Sequence, residues 1–315
     1  MSVITSSPEK APAKPPRSRG DRLFAGTAKG AGLAILAALA GVFIFLTIEG
    51  VPGLSQTEAT YAPNHDFLSY VGPLIYGTIL AAVLALLLAV PFAFGIALFI
   101  SHYAPRKLAV PVAYVIDLLA AVPSVVFGLW GARSLATYLV PVHDWLYGHL
   151  SFLPFFAGPP SVTGRTIFTA GIVLAIMILP IITAISREVF AQTPRLDQEA
   201  ALALGATRWE MVRLSVFPYA KSGMVSAVML GLGRALGETM AVAMVLSASP
   251  VYTLNLISNT NPATVASNIA SSFAEATPAK LHVLIATGLV LFAVTFAVNF
   301  AARWVVGRNE RRMAR

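Results

Sequence analysis

Long apolar runs separated by short polar connections dominate the chain. A helix needs about 20 predominantly apolar residues to cross a hydrocarbon layer about 30 Å thick. Six runs reach that length, at about 28–48, 75–101, 109–135, 165–186, 222–248 and 281–304. The pattern therefore predicts an all-α fold class, a polytopic membrane helix bundle of six transmembrane helices.

Composition and charge support a membrane protein. The chain is 57% apolar and 11% charged, against about 25% charged in an ordinary soluble domain. Lys and Arg collect in cytoplasmic loops, and here 18 of the 22 basic residues lie in the two tails, between the second and third runs, or just after the fourth. We therefore expect a multi-pass protein of the cell membrane with both termini in the cytoplasm. The net charge of +8 then needs no nucleic acid to explain it.

The polar and apolar stretches predict four parts. They are a disordered basic cytoplasmic tail at 1–22, a first transmembrane helix and outer loop at 23–64, the main transmembrane domain at 65–307 and a basic cytoplasmic tail at 308–315. The first apolar run has no clear small-residue cleavage site, so we predict a retained helix and not a removed signal peptide.

Two connections on the outer side are long. Residues 136–164 contain Tyr138, Trp145 and Tyr147, and such aromatic residues are typical of a membrane interface. Residues 249–280 are rich in Ser, Thr, Asn and Ala. This composition fits a solvated loop or part of a docking surface for a soluble partner.

The polar segment after the fourth run carries the signals of two short helices. Thr193 followed by Pro194 is typical of an N-cap with proline at the first helical position. Gly205 stands where a first helix of about ten residues would need a left-handed residue. Thr207 with Glu210 three positions later predicts a capping box that starts a second helix. We therefore predict a rigid helix–turn–helix.

This segment, 194–218, resembles the EAA loop of ABC-importer permeases. That pattern has Glu-Ala-Ala, three residues, Gly, nine residues and then Ile-x-Leu-Pro, and it is matched here by Glu199, Ala200, Ala201, Gly205 and Pro218. Ser215 and Phe217 replace its Ile and Leu. The resemblance implies docking into a groove of a separate ATPase through Glu199, Ala200, Ala201, Gly205, Thr207, Arg208 and Glu210. The alternative is an amphipathic loop helix on the membrane surface.

The fifth run holds two charged residues near its centre. Arg234 and Glu238 are four residues apart and would share one face of a continuous helix. Charge at that depth costs about 2.5–3.5 kcal/mol per residue on insertion scales. One explanation is an internal ion pair. The one we favour is that Arg234 offers a bidentate guanidinium to an oxyanion, while Glu238 holds it when no substrate is bound. Helix packing is predicted at Gly231, Gly233 and Gly237.

The run GLGRALGETMAV, from Gly231 to Val242, resembles the signature helix of the PstC family of phosphate permeases. The stretch from Asp117 to Gly131, with its Pro-Ser-Val, is similar to another run of that family, which more often has Glu in place of Asp117. The resemblance covers residues 65–307 and implies a type I ABC importer permease fold. The implied substrate path consists of Arg234, Glu238, Thr239, Asp117 and Ser124. For Asp117, a hydrogen bond to a nearby helix or to Arg234 is an equal alternative.

The same resemblance implies the partners. They are a sister permease of PstA type in a heterodimer, two ATPase subunits of PstB type, an extracytoplasmic phosphate-binding protein of PstS type and the membrane lipids. The chain has no G-x-x-x-x-G-K-[ST] run, so we expect no ATPase site and no enzyme activity of its own. We expect no cofactor on this chain, with ATP and Mg²⁺ on the partner ATPase. Without cysteine or spaced histidine ligands, no metal site is expected.

These observations together predict the permease subunit of an ATP-driven inorganic phosphate importer. The alternatives are a permease for sulfate or molybdate, an ion-driven secondary transporter, or a membrane scaffold. A secondary transporter usually shows inverted repeats and discontinuous helices, and a scaffold has no need of charges in mid-bilayer. We also hypothesise that an ionised Glu238 accepts a hydrogen bond from protonated phosphate and repels sulfate, which has no proton to donate.

Overall fold

The computed structural model describes residues 19–313, so most of the predicted tail at 1–22 and the end of the one at 308–315 lie outside the described residues. The α-helices of this part of the chain are α1 (Arg19–Gly50), α2 (Glu58–Tyr61), α3 (Phe67–Leu98), α4 (Arg106–Ala120), α5 (Ser124–Trp130), α6 (Ala136–Leu150), α7 (Ile167–Ala191), α8 (Arg195–Ala203), α9 (Arg208–Met211), α10 (Phe217–Leu236), α11 (Met240–Val245), α12 (Val265–Ser272) and α13 (Pro278–Met313). Two short strands, β1 (Ala248–Ser249) and β2 (Asn261–Pro262), pair in parallel.

Contacts divide the chain into two units, one ending at Leu46 and the other beginning at Thr47. The described part of the first unit is most of α1, a long apolar helix at the position of the first predicted run. The second unit contains all the other helices and both strands, and the site described below lies entirely within it.

Within residues 19–313, five helical stretches are long and apolar enough to cross a membrane. They are Leu23–Ser55, Phe67–Tyr103, Ser124–Leu150, Ile167–Ala191 and Pro278–Trp304. The all-α, multi-pass prediction is confirmed. The fifth predicted run, 222–248, has a different form, because α10 ends at Leu236 and a separate short helix, α11, follows. Neither piece alone reaches the length and hydropathy of the other five.

The third predicted run is also interrupted. Helix α4 ends at Ala120 and α5 begins at Ser124 directly after Pro123, because proline cannot donate the backbone hydrogen bond that a continuous helix needs. After α5 the chain continues through a π-helical turn into α6. The prediction of a loop over 136–164 is therefore wrong for residues 136–150, which are helical.

Helices α4 and α5 run antiparallel to α7. Asp117 of α4 lies 3.6 Å from Arg187 near the end of α7, whereas Gly131, just after α5, lies against Val173 near its beginning. The break at Pro123 therefore kinks the predicted third span without removing it from the bundle.

The centre of the second unit is the packing of α3 against α7. Along α3, Gly77 begins a row in which every fourth residue is small, and its alanines are at most 1% exposed: Ala81, Ala85, Ala89, Ala93 and Ala97. Small side chains let two helix backbones approach closely. Ile178 and Ile182 of α7 are fully buried in the same core, and α10 packs on α7 through Gly231, which lies against Ile182.

The connection at 249–280 folds back into the bundle and is not a plain solvated loop. Asn261 of β2 is fully buried; its side-chain oxygen accepts from the Ile167 amide at 3.1 Å, and its nitrogen donates to the Ser258 carbonyl at 2.6 Å. The amide of Val265 donates to the Thr78 hydroxyl of α3 at 2.9 Å. These polar residues satisfy buried backbone groups, so composition alone was a poor guide to their exposure.

Candidate functional site

Helices α8 and α9 form the helix–turn–helix that the sequence predicts. Gly205 has φ +86°, which confirms the left-handed residue. The Thr207 hydroxyl accepts from the Glu210 amide at 3.3 Å, and the Glu210 carboxylate accepts from the Thr207 amide at 2.8 Å. The predicted capping box is therefore confirmed. The bond from the Thr207 amide and, second, one from the Thr207 hydroxyl, which donates to the same carboxylate at 2.8 Å, lower the pKa of Glu210.

The start of this segment differs from the prediction. Pro194 is the N-cap of α8, with an extended ψ of 131°, and the helix begins at Arg195. Thr193 is buried, and its hydroxyl has no hydrogen-bond partner in the described part of the chain. The predicted Thr193 cap is wrong because the extended Pro194 delays the helix by one residue and turns Thr193 inward.

The part of the segment formed by α8, the turn at Gly205 and the start of α9, which we call the head, is exposed. No side chain of α8 is buried. Three large apolar side chains are exposed in this part of the chain: Leu196 is 78% exposed, Leu204 in the turn 90% and Trp209 of α9 55%. Large apolar side chains grouped on a protruding element are typical of an interaction site. Glu199 and Ala200 lie on the exposed part of α8, and Ala201 is half-buried at its base.

The part of the segment that joins the helix bundle, around Phe190, Met211 and Val216, is buried, and we call it the base. Phe190 from the end of α7, Met211 from α9 and Val216 just before α10 pack with the last turn of α3 in one apolar cluster. The Ser215 hydroxyl, at a position where the EAA pattern has an apolar residue, donates to the Asp197 carbonyl of α8 at 3.1 Å. A force on the head would therefore be passed to α3, α7 and α10 through packed side chains.

Arg234 and Glu238 do not form an ion pair in the described structure. Arg234 is exposed in the last turn of α10, whereas Glu238 is 6% exposed beyond the end of the helix at Gly237. The Glu238 carboxylate accepts from the Ala241 amide at 3.2 Å and so caps the start of α11. The predicted shared face fails because a four-residue spacing aligns side chains only along an unbroken helix.

A cavity of about 800 Å³, which we call the arginine cavity, lies along α10 beside α7 and α13. On α10 it is lined at every fourth position, by Ser222, Ser226, Leu230 and Arg234, which form one ridge of the helix. The remaining lining residues are Ile181, Val225, Met229, Gly233, Asn299 and Arg303. None of the lining residues is acidic. At 1.5 Å per residue, Arg234 lies roughly 18 Å from Ser222 along the axis.

The other predicted path residues lie apart from the arginine cavity. Asp117 has a half-exposed side chain that pairs with Arg187, so it is not a buried charge and its partner is not Arg234. Ser124 is the first residue of α5, and Thr239 precedes α11. These two helices contact each other, since Gly128 of α5 lies against Ala241 of α11. The structure thus places the two helix breaks side by side.

The three predicted packing glycines have different surroundings. Gly231 contacts Ile182 of α7, whereas Gly233 lines the arginine cavity and has no described side-chain or neighbouring-helix atom within 4 Å of where a Cβ would stand. Gly237 is the C-cap of α10. The predicted close approach of a second helix at Gly233 and Gly237 is not observed among the described residues.

Sequence reasoning missed the polar residues around Arg234. Ser222 and Ser226 precede it by twelve and eight residues, and Asn299 and Arg303 are four residues apart on α13. Both spacings put side chains on one helical face, so a search for polar residues in register with Arg234 would have found the serines.

Comparison with known proteins now bears on this architecture. Residues 89–315 match the model of the family described as binding-protein-dependent transport system inner membrane component. The chain belongs to this family. Among proteins of this kind, "Phosphate transport system permease protein PstC 2" of Mycobacterium tuberculosis is 49% identical over 93% of both chains. "Phosphate transport system permease protein PstC" of Xylella fastidiosa is 42% identical over 85% of this chain and 82% of its own.

Solved structures of transporters share the fold of this family member. The MetNI methionine ABC transporter matches with a TM-score of 0.51 and 18% identity, over 76% of this chain and 93% of its own. A bacterial ABC transporter for alginate import matches with a TM-score of 0.50 and 17% identity, over 90% and 99%. The type I importer permease fold is therefore confirmed, and the chain is a multi-pass transport subunit of a system with ATPase and substrate-binding components.

Proposed function

We propose that this chain is the transmembrane permease subunit of an ATP-driven importer of inorganic phosphate. The observation that carries the proposal is the near full-length similarity, at 49% identity, to a relative named as a phosphate transport permease. The arginine cavity supports it, because its lining has two guanidinium groups and no carboxylate. Guanidinium groups bind phosphate oxygens through paired, charge-assisted hydrogen bonds.

The proposed complex contains a PstA-type sister permease, two PstB-type ATPase subunits and a PstS-type binding protein. In this arrangement both termini and the segment 194–218 are cytoplasmic, as the distribution of basic residues predicts. ATP and Mg²⁺ bind the ATPase subunits, and this chain binds neither. This chain converts the movement of the ATPase subunits into movement of its own helices.

The shape of the segment suggests how ATP hydrolysis is coupled to transport. The exposed Leu204 and Trp209 enter the ATPase surface, and movement of that surface displaces the buried base around Phe190 and Val216. Because α7 and α10 both leave this base, their tilt changes access to the arginine cavity. The breaks at Pro123 and Gly237 provide points where the helices bend.

Within the path, we assign different roles to Arg234 and Glu238. Arg234 faces the arginine cavity and meets the anion. Glu238 holds the start of α11 through Ala241 and so shapes the break beyond the cavity. It does not line the cavity, and the arrangement offers no support for its use as a filter against sulfate.

Phosphate uptake into proteoliposomes tests the proposal. The complete complex is reconstituted with internal ATP, and radiolabelled phosphate is added outside with the binding protein. We expect uptake that requires ATP and is unchanged when the proton and sodium gradients are collapsed. Uptake without ATP would indicate an ion-driven transporter, and uptake of sulfate or molybdate in place of phosphate would indicate a permease for another oxyanion.

A further inference from the structure

A second cavity lies at the end of the second unit away from the segment 194–218. It has a volume of about 340 Å³ and lies where the connection before α3, the segment around β1 and the first turn of α13 meet. We call it the outer cavity, since in the proposed orientation it faces the outside. Its polar lining side chains are those of Asn64, Tyr70, Ser249, Asn268, Ser272 and Lys280.

Lys280 is held in place at the wall of this cavity. Its ammonium group donates to the Thr60 carbonyl at 3.1 Å and lies 4.1 Å from the centre of the Tyr70 ring, a cation–π distance. Tyr70 is itself 9% exposed, and its hydroxyl oxygen accepts from the Asn268 amide at 2.8 Å. An ammonium group has three N–H donors, and only one of them donates to an acceptor among the described residues, so a free N–H remains beside the cavity.

The outer cavity is lined by several donors that have no protein acceptor among the described residues. The Tyr70 hydroxyl accepts a hydrogen bond, but no acceptor for its own proton is found among the described residues. The hydroxyls of Ser249 and Ser272 likewise have no partner in the described part of the chain. The free N–H of Lys280 is a fourth donor, and no carboxylate lines the cavity. Tyr70 is buried, whereas the side chains of Ser249, Ser272 and Lys280 are partly exposed, and an anion with several oxygens would accept from all four together.

We propose that the outer cavity is a subsite for an oxyanion, in which Lys280, Tyr70, Ser249 and Ser272 donate to a phosphate ion on its way to the pore. This proposal rests on the proposed function, because that function supplies phosphate at this face. A carboxylate side chain of the docked binding protein has the same chemistry, acceptor oxygens with negative charge. We assign the site to the free ion because the cavity, at about 340 Å³, is larger than a single carboxylate fills.

The selectivity of this subsite follows from its chemistry. Hydroxyl groups accept as well as donate, and the side-chain oxygen of the lining residue Asn64 is a buried acceptor with no partner among the described residues. The subsite therefore has acceptors for the proton of a P–OH group, which sulfate lacks. Phosphate should bind at least as tightly as sulfate, whereas chloride cannot accept from four separated donors.

Chemical labelling of lysine tests the subsite without transport. The purified complex of permease and ATPase subunits, in detergent and without binding protein, is acetylated at constant ionic strength, and each lysine is quantified by mass spectrometry. We expect inorganic phosphate or sulfate to slow acetylation of Lys280 at least threefold relative to chloride. Lys107 and Lys221, which do not line either cavity, are the internal controls and should react at an unchanged rate.

Two variants separate the subsite from a purely structural role of Lys280. Tyr70→Phe keeps the ring beneath the ammonium group but removes one donor, so phosphate protection should weaken while acetylation in chloride stays the same. Lys280→Gln should lower the initial rate of phosphate uptake by roughly 10- to 100-fold, the value of one charge-assisted hydrogen bond, with the ATPase subunits still bound.

The proposal is overturned by three results. These are an absence of protection at Lys280, equal protection at the two control lysines, or protection by the binding protein alone without phosphate, which would assign the cavity to a docked carboxylate. The labelling assay needs neither ATP nor uptake. A failure of ATP-driven phosphate uptake in the unmodified complex would therefore refute the proposed function, and the labelling result could still be interpreted.

Discussion

The segment 194–218 and the break after α10 teach different lessons about the same chain. In the segment, the predicted turn at Gly205 and the capping box at Thr207 both form. At the break, the predicted face shared by Arg234 and Glu238 does not exist, because the helix ends between them. The first region is specified by contacts within a few residues. The second depends on α7 and α5, which pack against it.

The largest expected effect is a difference in stability between variants in the buried base and in the exposed head of the segment. Phe190→Ala in the buried base should lower the free energy of unfolding by about 3–5 kcal/mol, since Phe190 is fully buried. Leu204→Ala, at a position 90% exposed, should change it by less than about 0.5 kcal/mol. Denaturant titration of both variants measures this. Equal losses would show that the head is not a free surface.

The next effect concerns the function of the head. Leu204→Asp should weaken co-purification of the ATPase on the order of 30-fold, as expected for a central interface residue, with the fold of the permease unchanged. Leu204→Met keeps an apolar side chain of similar size and is the matched control. Retention of the ATPase by the Asp variant would support the alternative of a helix on the membrane surface.

A smaller effect tests the separation of the two charges. If Arg234 and Glu238 act independently, the stability changes of Arg234→Gln and Glu238→Gln should add to within about 0.5 kcal/mol in the double variant. The Gln side chain preserves the acceptor that caps Ala241. A coupling energy well above that limit would show that Arg234 and Glu238 interact directly and would contradict their separation by the end of α10.

The smallest effect is the pH dependence of the capping box. Because hydrogen bonds from Thr207 lower the pKa of Glu210 in the folded chain, its contribution is present above the unfolded value of about 4.3 and is lost as the pH falls through the lowered value. Hydrogen exchange at the Thr207 amide, corrected for the intrinsic rate, should therefore rise only as the pH falls through the lowered pKa of Glu210. Glu210→Gln should remove this dependence.

Local chemistry decided what could be predicted. Apolar runs long enough to span a membrane revealed the class of fold, and the turn residues revealed the segment 194–218. The helix over 136–150 was missed because its aromatic and polar residues also suit an interface loop. The burial of Asn261 was missed because its partners, Ile167 and Ser258, are set by tertiary structure.

In the candidate site too, features set by local residues could be predicted and those set by tertiary contacts could not. Arg234 was singled out because a charge inside an apolar run is costly. Its cavity companions Asn299 and Arg303 lie on α13, far along the chain, and no local pattern links them to Arg234. The pairing of Asp117 with Arg187 likewise joins two helices whose register the sequence does not state.

We propose that Arg234 faces a cavity that is open to water and through which an anion passes. The chain has no cysteine, so single cysteines can be introduced by Arg234→Cys, Ser226→Cys and, as a control at a fully buried position of the same helix, Ala227→Cys. In the assembled complex, a charged, membrane-impermeant thiol reagent should modify the first two but not the third. Phosphate should slow the modification at position 226, where Arg234 is still present. A cysteine at 234 that reacts only with lipid-soluble reagents would contradict the account.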